Sequence, residues 1–137
     1  MRTFQKINMF GFLKNLVLTK NRYVSPKTEE KIQAEWAKIS ELVKQGSPSQ
    51  LRQALISADR SLDTALRDII EGETMGERLK NAKDRFTETT YNKVWKAHKL
   101  RNNVVHEAGF EPPHFAIKEA IDDLKSGLES LSVKIRL

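Results

Sequence analysis

The tripeptide Gly46-Ser47-Pro48 leaves this chain little freedom. Glycine ends helices by adopting the left-handed conformation, and serine followed by proline starts them, as N-cap and first helical residue. Gln50, three residues after Ser47, completes a capping box. A helix stop beside a helix start defines a helical hairpin, and the flanking segments fit one. Ile32, Trp36, Ile39 and Val43 recur at helical spacing before the junction, as do Leu51, Leu55, Ala58, Leu62, Ala65, Leu66 and Ile69 after it. Ser25 and Pro26 start the first of these helices in the same way, and the second runs out near Gly72.

The remaining segments read as helical too. Thr74 and Glu77 form a capping-box pattern in GETMGERLK, opening a short helix that carries Leu79 and Phe86. A longer helix is expected from about Thr90 to Glu107, with Val94, Ala97, Leu100, Val104 and Val105 facing inward and Gly109 ending it. Glu111-Pro112-Pro113 is a rigid turn. Ile117, Ile121, Leu124, Leu128 and Leu131 mark the last long helix. No segment alternates as a half-buried strand does, and no repeat of solenoid length occurs. The expected class is all-α: an antiparallel bundle of four to five helices over residues 25–137, preceded by a basic N-terminal arm, residues 1–24, with consecutive long helices as neighbours.

Charge separates the two regions. The net charge is +6, and Arg2, Lys6, Lys14, Lys20, Arg22 and Lys27 all precede the first acidic residue, Glu29. From residue 28 onward 18 basic residues are matched by 18 acidic ones, so the basic excess belongs to the N-terminal segment. The arm's apolar run, INMFGFLKNLVL, is shorter than the roughly 20 residues of a spanning helix and is split by Lys14. No small-x-small cleavage site follows it, which argues against a removed signal peptide. Met9, Phe10, Leu13, Leu16 and Val17 share one helical face. Three roles fit: docking on the bundle or a partner, contact with an anionic membrane surface, or a partly disordered arm. With no cysteine there is no disulfide framework, thiolate zinc site or thiol nucleophile. A cytoplasmic protein, peripheral at the membrane where the arm engages it, is the expected setting.

The stretch KLRNNVVHEAGF, residues 99–110, departs from helical regularity. Asparagine is a poor helix former because its side chain competes for backbone groups. Asn102 and His106 are four apart and share a helix face, and Arg101 is adjacent. Arginine is a planar, permanently charged phosphate clamp, and histidine exchanges protons near neutral pH. Together they meet the needs of metal-independent RNA cleavage, with Asn102 orienting His106 or a substrate hydroxyl. The same residues also fit a plainer role, because cations complement the dipole at a helix C-terminus. His98 lies eight residues before His106, outside the four-residue spacing of a helical metal pair, and reads as a partly buried packing histidine or a second site residue. His114 opens the last helix and reads as exposed. Trp36 and Trp95 fit core or dimer contacts better than base-stacking platforms. No metal or cofactor is expected.

An all-helical body with Arg101-Asn102-x-x-x-His106 late in its penultimate helix resembles the HEPN superfamily (higher eukaryotes and prokaryotes nucleotide-binding). GETMGERLK and WKAHKLRNNVVHEAGFE are similar to strings in small bacterial HEPN-like proteins, and the resemblance covers roughly residues 30–132. It implies a homodimer with two such motifs meeting across a twofold axis, and a metal-independent endoribonuclease acting on single-stranded RNA. Arg101 would hold the phosphate, His106 would move protons at the 2′-hydroxyl and leaving oxygen, and Asn102 would support them. Other members serve as non-catalytic RNA- or nucleotide-binding or interaction modules, including partners of antitoxins or nucleotidyltransferases. That is the alternative reading.

Overall fold

A computed structural model describes residues 18–136. Five α-helices and a 3-10 turn lie within them: α1 Pro26–Gln45, α2 Pro48–Ile69, α3 Met75–Asn81, the turn Lys83–Arg85, α4 Glu88–His106 and α5 His114–Ser130. Among the described residues the fold is all-helical, as the periodicity predicts, with one isolated bridge between Thr19 and Ile70.

The hairpin forms as its caps dictate. Ser25 Oγ accepts the Thr28 N–H, and Gly46 closes α1 with φ 72°. At Ser47 both halves of the capping box are made, from the Gln50 N–H at 3.2 Å and by the Gln50 side chain at 3.1 Å. α1 packs on α2, α2 on α5, and α5 on α4, so the last helix is wedged between the second and the fourth. Consecutive long helices are thus neighbours for α1–α2 and α4–α5, whereas α2 and α4 touch only lightly. Gly127 permits the wedge. A Cβ there would lie 2.8 Å from Val94 Cγ2, so α5 crosses α4 at a distance only glycine allows.

Ile32, Ile39, Leu51, Leu55, Leu62, Leu66, Leu124 and Leu128 form the heart of the core. Burying each contributes about 1.5–3 kcal/mol. Trp36 joins them with its polar atom satisfied, its indole N–H donating to Ser61 Oγ at 2.9 Å. After α5 the chain turns back along α1. Val133 is buried, and Gln33 donates to the Lys134 carbonyl at 2.9 Å.

The GETMGERLK string builds a corner. Arg78 is buried and bidentate on Asp63 of α2, at 2.8 and 3.1 Å, and its Nη1 donates to the Gly72 carbonyl at 2.8 Å. Gly72 adopts φ 155°, and a Cβ on it would meet Arg78 Cγ at 2.7 Å. Thr74 caps α3 through the Glu77 N–H at 3.1 Å, but the Glu77 carboxylate accepts from Glu73 N–H instead of completing the box.

Three sequence expectations shift. Phe86 lies beyond the 3-10 turn, because α3 stops at Asn81. α4 begins at Glu88 rather than Thr90, since Thr87 caps it through the Thr90 N–H at 3.1 Å. Val105 is 44% exposed: with α5 covering one flank, the buried sector of α4 is Val94, Ala97 and Val104, and residue 105 falls about 100° further round.

The described end of the arm, from Leu18, is pinned to the end of α2. Lys20 N–H donates to the Ile69 carbonyl and Glu71 N–H to the Leu18 carbonyl, each at 2.8 Å. Asp68 accepts the Ser25 N–H at 3.1 Å. The helical face expected over Met9 to Val17 lies outside the described residues.

Candidate functional site on α4

Asp59 organises the site from α2. It stands four residues after Leu55 and three before Leu62, where the apolar stripe calls for a hydrophobe, yet it carries a carboxylate that is almost wholly buried. A buried carboxylate requires partners. The Nδ1 of His98 lies 3.1 Å from both Asp59 oxygens, and Arg101 Nε lies 3.6 Å from Oδ2. An ionised carboxylate only accepts, so Nδ1 carries the hydrogen and Nε2 is the ring nitrogen left for other work. The Arg101 contact is electrostatic rather than a hydrogen bond. Its Nε is buried with no hydrogen-bond partner.

The other end of the guanidinium is fixed by its neighbour. Arg101 Nη1 donates to Asn102 Oδ1 at 3.0 Å. Asn102 therefore holds Arg101 in this arrangement. The Arg101 side chain is 29% exposed, against 4% for Asp59. Arg101 thus spans from a buried anion to the surface, where an oxyanion can reach it.

His106 lies in the last turn of α4 and is exposed. It follows Asn102 by one turn on the same face and stands about 7.5 Å along the helix axis beyond Arg101. No hydrogen bond or ion pair among the described residues joins it to Arg101 or Asn102. The structure therefore brings Arg101 and Asn102 together and leaves His106 nearby but free to meet solvent, a substrate or a second chain. His98, by contrast, is only 12% exposed along its side chain and belongs to the Asp59 cluster. The signal that could have found this cluster is the acid interrupting the α2 stripe.

Beside the motif, α4 and α5 enclose an open groove of about 550 Å³. Trp95, Leu100 and Ala116 supply apolar lining, with Lys96 and Lys99 on the α4 side and Glu119 and Asp123 on the α5 side. Phe115 lines the groove and is 72% exposed. Burial raises the Asp123 carboxyl above its ordinary range, with Glu119 adding to the shift and Lys93 and Lys96 opposing it.

Among the described residues no cluster of three or more histidine, cysteine or acidic side chains could hold a metal ion, and no helix is long and apolar enough to cross a membrane. No family model, curated protein or solved structure matches the chain.

Proposed function

We propose that this chain is a HEPN-like, metal-independent endoribonuclease that works as a homodimer with α4 at the interface. The observation that carries the reading is the seating of Arg101. It is tied to a buried carboxylate at Nε and to Asn102 at Nη1, with an outer part open to an anion. A guanidinium held at both ends loses little freedom on meeting a phosphate, which is the preorganisation that electrostatic catalysis requires.

In this mechanism Arg101 holds the non-bridging oxygens of the scissile phosphate. His106 takes the proton from the 2′-hydroxyl. The 2′-oxygen attacks phosphorus, the bond to the 5′-oxygen breaks, and that oxygen leaves with a proton from a general acid. The products are a 2′,3′-cyclic phosphate and a 5′-hydroxyl. A twofold dimer would set a second Arg-Asn-x-x-x-His segment beside the first and supply the acid that one chain lacks.

The test is cleavage of single-stranded RNA in excess chelator by a protein whose mass in solution is that of a dimer. His106→Ala should lower the rate about 100- to 10,000-fold, and Arg101→Ala should do comparable damage. Asn102→Ala, which loses only orientation, should cost less. Chelator-sensitive cleavage, a monomer at tens of micromolar, or full activity in His106→Ala would each overturn the proposal. The second reading, a non-catalytic interaction module, is favoured by the exposed Phe115 beside the apolar groove. It stands if the parent never cleaves RNA while Phe115→Asp abolishes self-association or partner binding.

A further inference from the structure

Four rings run in file from the 3-10 turn along α4 toward Arg101. The Phe86 and Tyr91 centroids are 6.1 Å apart, those of Tyr91 and Trp95 6.3 Å, and those of Trp95 and His98 5.9 Å. The spacing of 91, 95 and 98 continues to 102 and 106, so the file and the Asn102–His106 pair share one helix face. All four rings are partly exposed, and the buried side of α4 is elsewhere, at Val94, Ala97 and Val104. Phe86 and Trp95 pack against the edge of the core and keep part of their surface open.

Its chemistry is specific. Tyr91 meets Trp95 at 79° and Trp95 meets His98 at 70°, edge to face, so the rings do not cover one another as a parallel stack would. The Lys83 ammonium lies over the Tyr91 ring, 5.7 Å from its centroid, and that of Lys99 over the Trp95 ring at 5.9 Å, so each ring has a cation over one face and only its other exposed surface is left to a base. A Cβ on Gly76 would lie 3.4 Å from Trp95 Cη2, so the start of α3 seats the indole and holds it in place. A hollow of about 460 Å³ lined by Phe86 and Tyr91 adjoins the α4–α5 groove lined by Trp95, and Asn92 lines both. Partly exposed rings with cations beside them, along two hollows that share Asn92, are elements of the kind that bind single-stranded nucleic acid.

We infer that the Tyr91–Trp95 file is a binding track for unpaired RNA, stacking bases on its rings, placing phosphates on Lys83 and Lys99, and delivering the adjoining phosphate to Arg101. This rests on the ribonuclease reading and deepens it, because it names the residues that would hold the single strand which that reading already assigns. A duplex hides its base faces, so only unpaired strands can stack. It also explains how a body without a basic excess holds RNA. Stacking carries the affinity, and Glu88, Glu119 and Asp123 on the neighbouring walls limit phosphate contacts to the lysine side. Neutralising three phosphates, with Arg101 as the third, gives log K against log salt a slope of about −2.

The chain carries its own probe. Of its two tryptophans, Trp36 is buried with its N–H held by Ser61, so quenching by a ligand reports on Trp95. The full chain is titrated with 2′-O-methyl oligouridine, which cannot be cleaved through its 2′-oxygen, and with the corresponding duplex. The expected result is saturable quenching by the single strand alone. Tyr91→Leu should bind roughly 5- to 150-fold more weakly, the loss of one stacked base, while Tyr91→Phe restores affinity and both keep the parental melting temperature. The track is overturned by equal quenching with duplex, by parental affinity in Tyr91→Leu, or by no quenching at millimolar oligonucleotide. A Trp95 signal that follows protein concentration and ignores RNA would also overturn it, identifying the file as a contact between copies. Quenching without cleavage would remove the ribonuclease and leave the track. Cleavage without quenching would do the reverse.

Discussion

Removing the Arg101 charge tests the site's architecture separately from its chemistry. At 3.6 Å the pair with Asp59 is close enough for a Coulomb attraction of about 5 kcal/mol at an effective dielectric of about 20. Desolvation offsets much of this, and breaking a fully buried pair typically costs about 3–5 kcal/mol. Arg101 is 29% exposed and its Nε makes no hydrogen bond, while Asp59 keeps His98, so Arg101→Met should cost less, about 2 kcal/mol. For a domain of this size that is a fall of about 8 °C in melting temperature. Asp59→Asn should cost about 1 kcal/mol, because an amide oxygen still accepts the His98 proton and the released guanidinium can reach water. The double variant should then lose less than the sum, with a coupling of about 1–2 kcal/mol. Urea unfolding followed by far-UV circular dichroism on the four proteins measures it. Additivity within about 0.5 kcal/mol would mean that Asp59 and Arg101 do not interact in solution, and the account of a preorganised guanidinium would fall with it. The cycle also guards the catalytic test, since a rate lost in Arg101→Ala is informative only once the stability change is known.

Two further outcomes follow from contacts around α4. Gly127→Ala gains about 1 kcal/mol of helix propensity but drives a methyl to 2.8 Å from Val94 Cγ2, at an overpacking cost of about 1–3 kcal/mol; it should destabilise the parent and stabilise a Val94→Ala background, which unfolding curves of the four combinations would decide. Asp123→Asn should raise the melting temperature at pH 7: burial raises the folded carboxyl's pKa, so the aspartate's contribution to stability is present below the unfolded pKa and lost as pH rises through the folded one. The advantage of asparagine should therefore vanish in acid, and a gap that persists to low pH would refute burial as its cause.

Much of the fold is legible in the sequence because its signals are local. Ser25-Pro26, Gly46 and Ser47-Pro48 act within a turn of themselves, and the stripes of α1, α2 and α5 are strongly amphipathic. α4 is the least amphipathic of the four long helices, and the errors collect there: its start and the exposure of Val105. Its neighbours are decided at long range, by α5 passing close at Gly127 and α3 meeting Trp95 at Gly76, and no spacing within α4 records either contact. The motif residues were visible as a local rule broken at Asn102 and Asn103. Asp59 was visible in the same way, as an acid interrupting the α2 stripe, but its partners were not, since they lie 39 and 42 residues away. The role of Arg78 is equally non-local: a surface-looking residue beside a capping box is a buried anchor for α2.

The presence of Asp59 needs a reason beyond stability. Replacing a buried ion pair by well-packed apolar residues is often neutral or stabilising, and a leucine at 59 would continue a stripe already running through Leu55 and Leu62. What a leucine cannot do is hold an imidazole and a guanidinium on the next helix. The carboxylate fixes which His98 nitrogen bears the hydrogen and anchors the inner edge of Arg101, while Asn102 holds an outer nitrogen. Gly76 and Gly127 set the same helix against α3 and α5. α4 is thus positioned by three other elements, through Val94 and Ala97 of its apolar stripe as well as through its polar and aromatic face. The bundle thereby holds α4 from three sides, and the turns that carry Trp95, His98 and Arg101 are fixed with it.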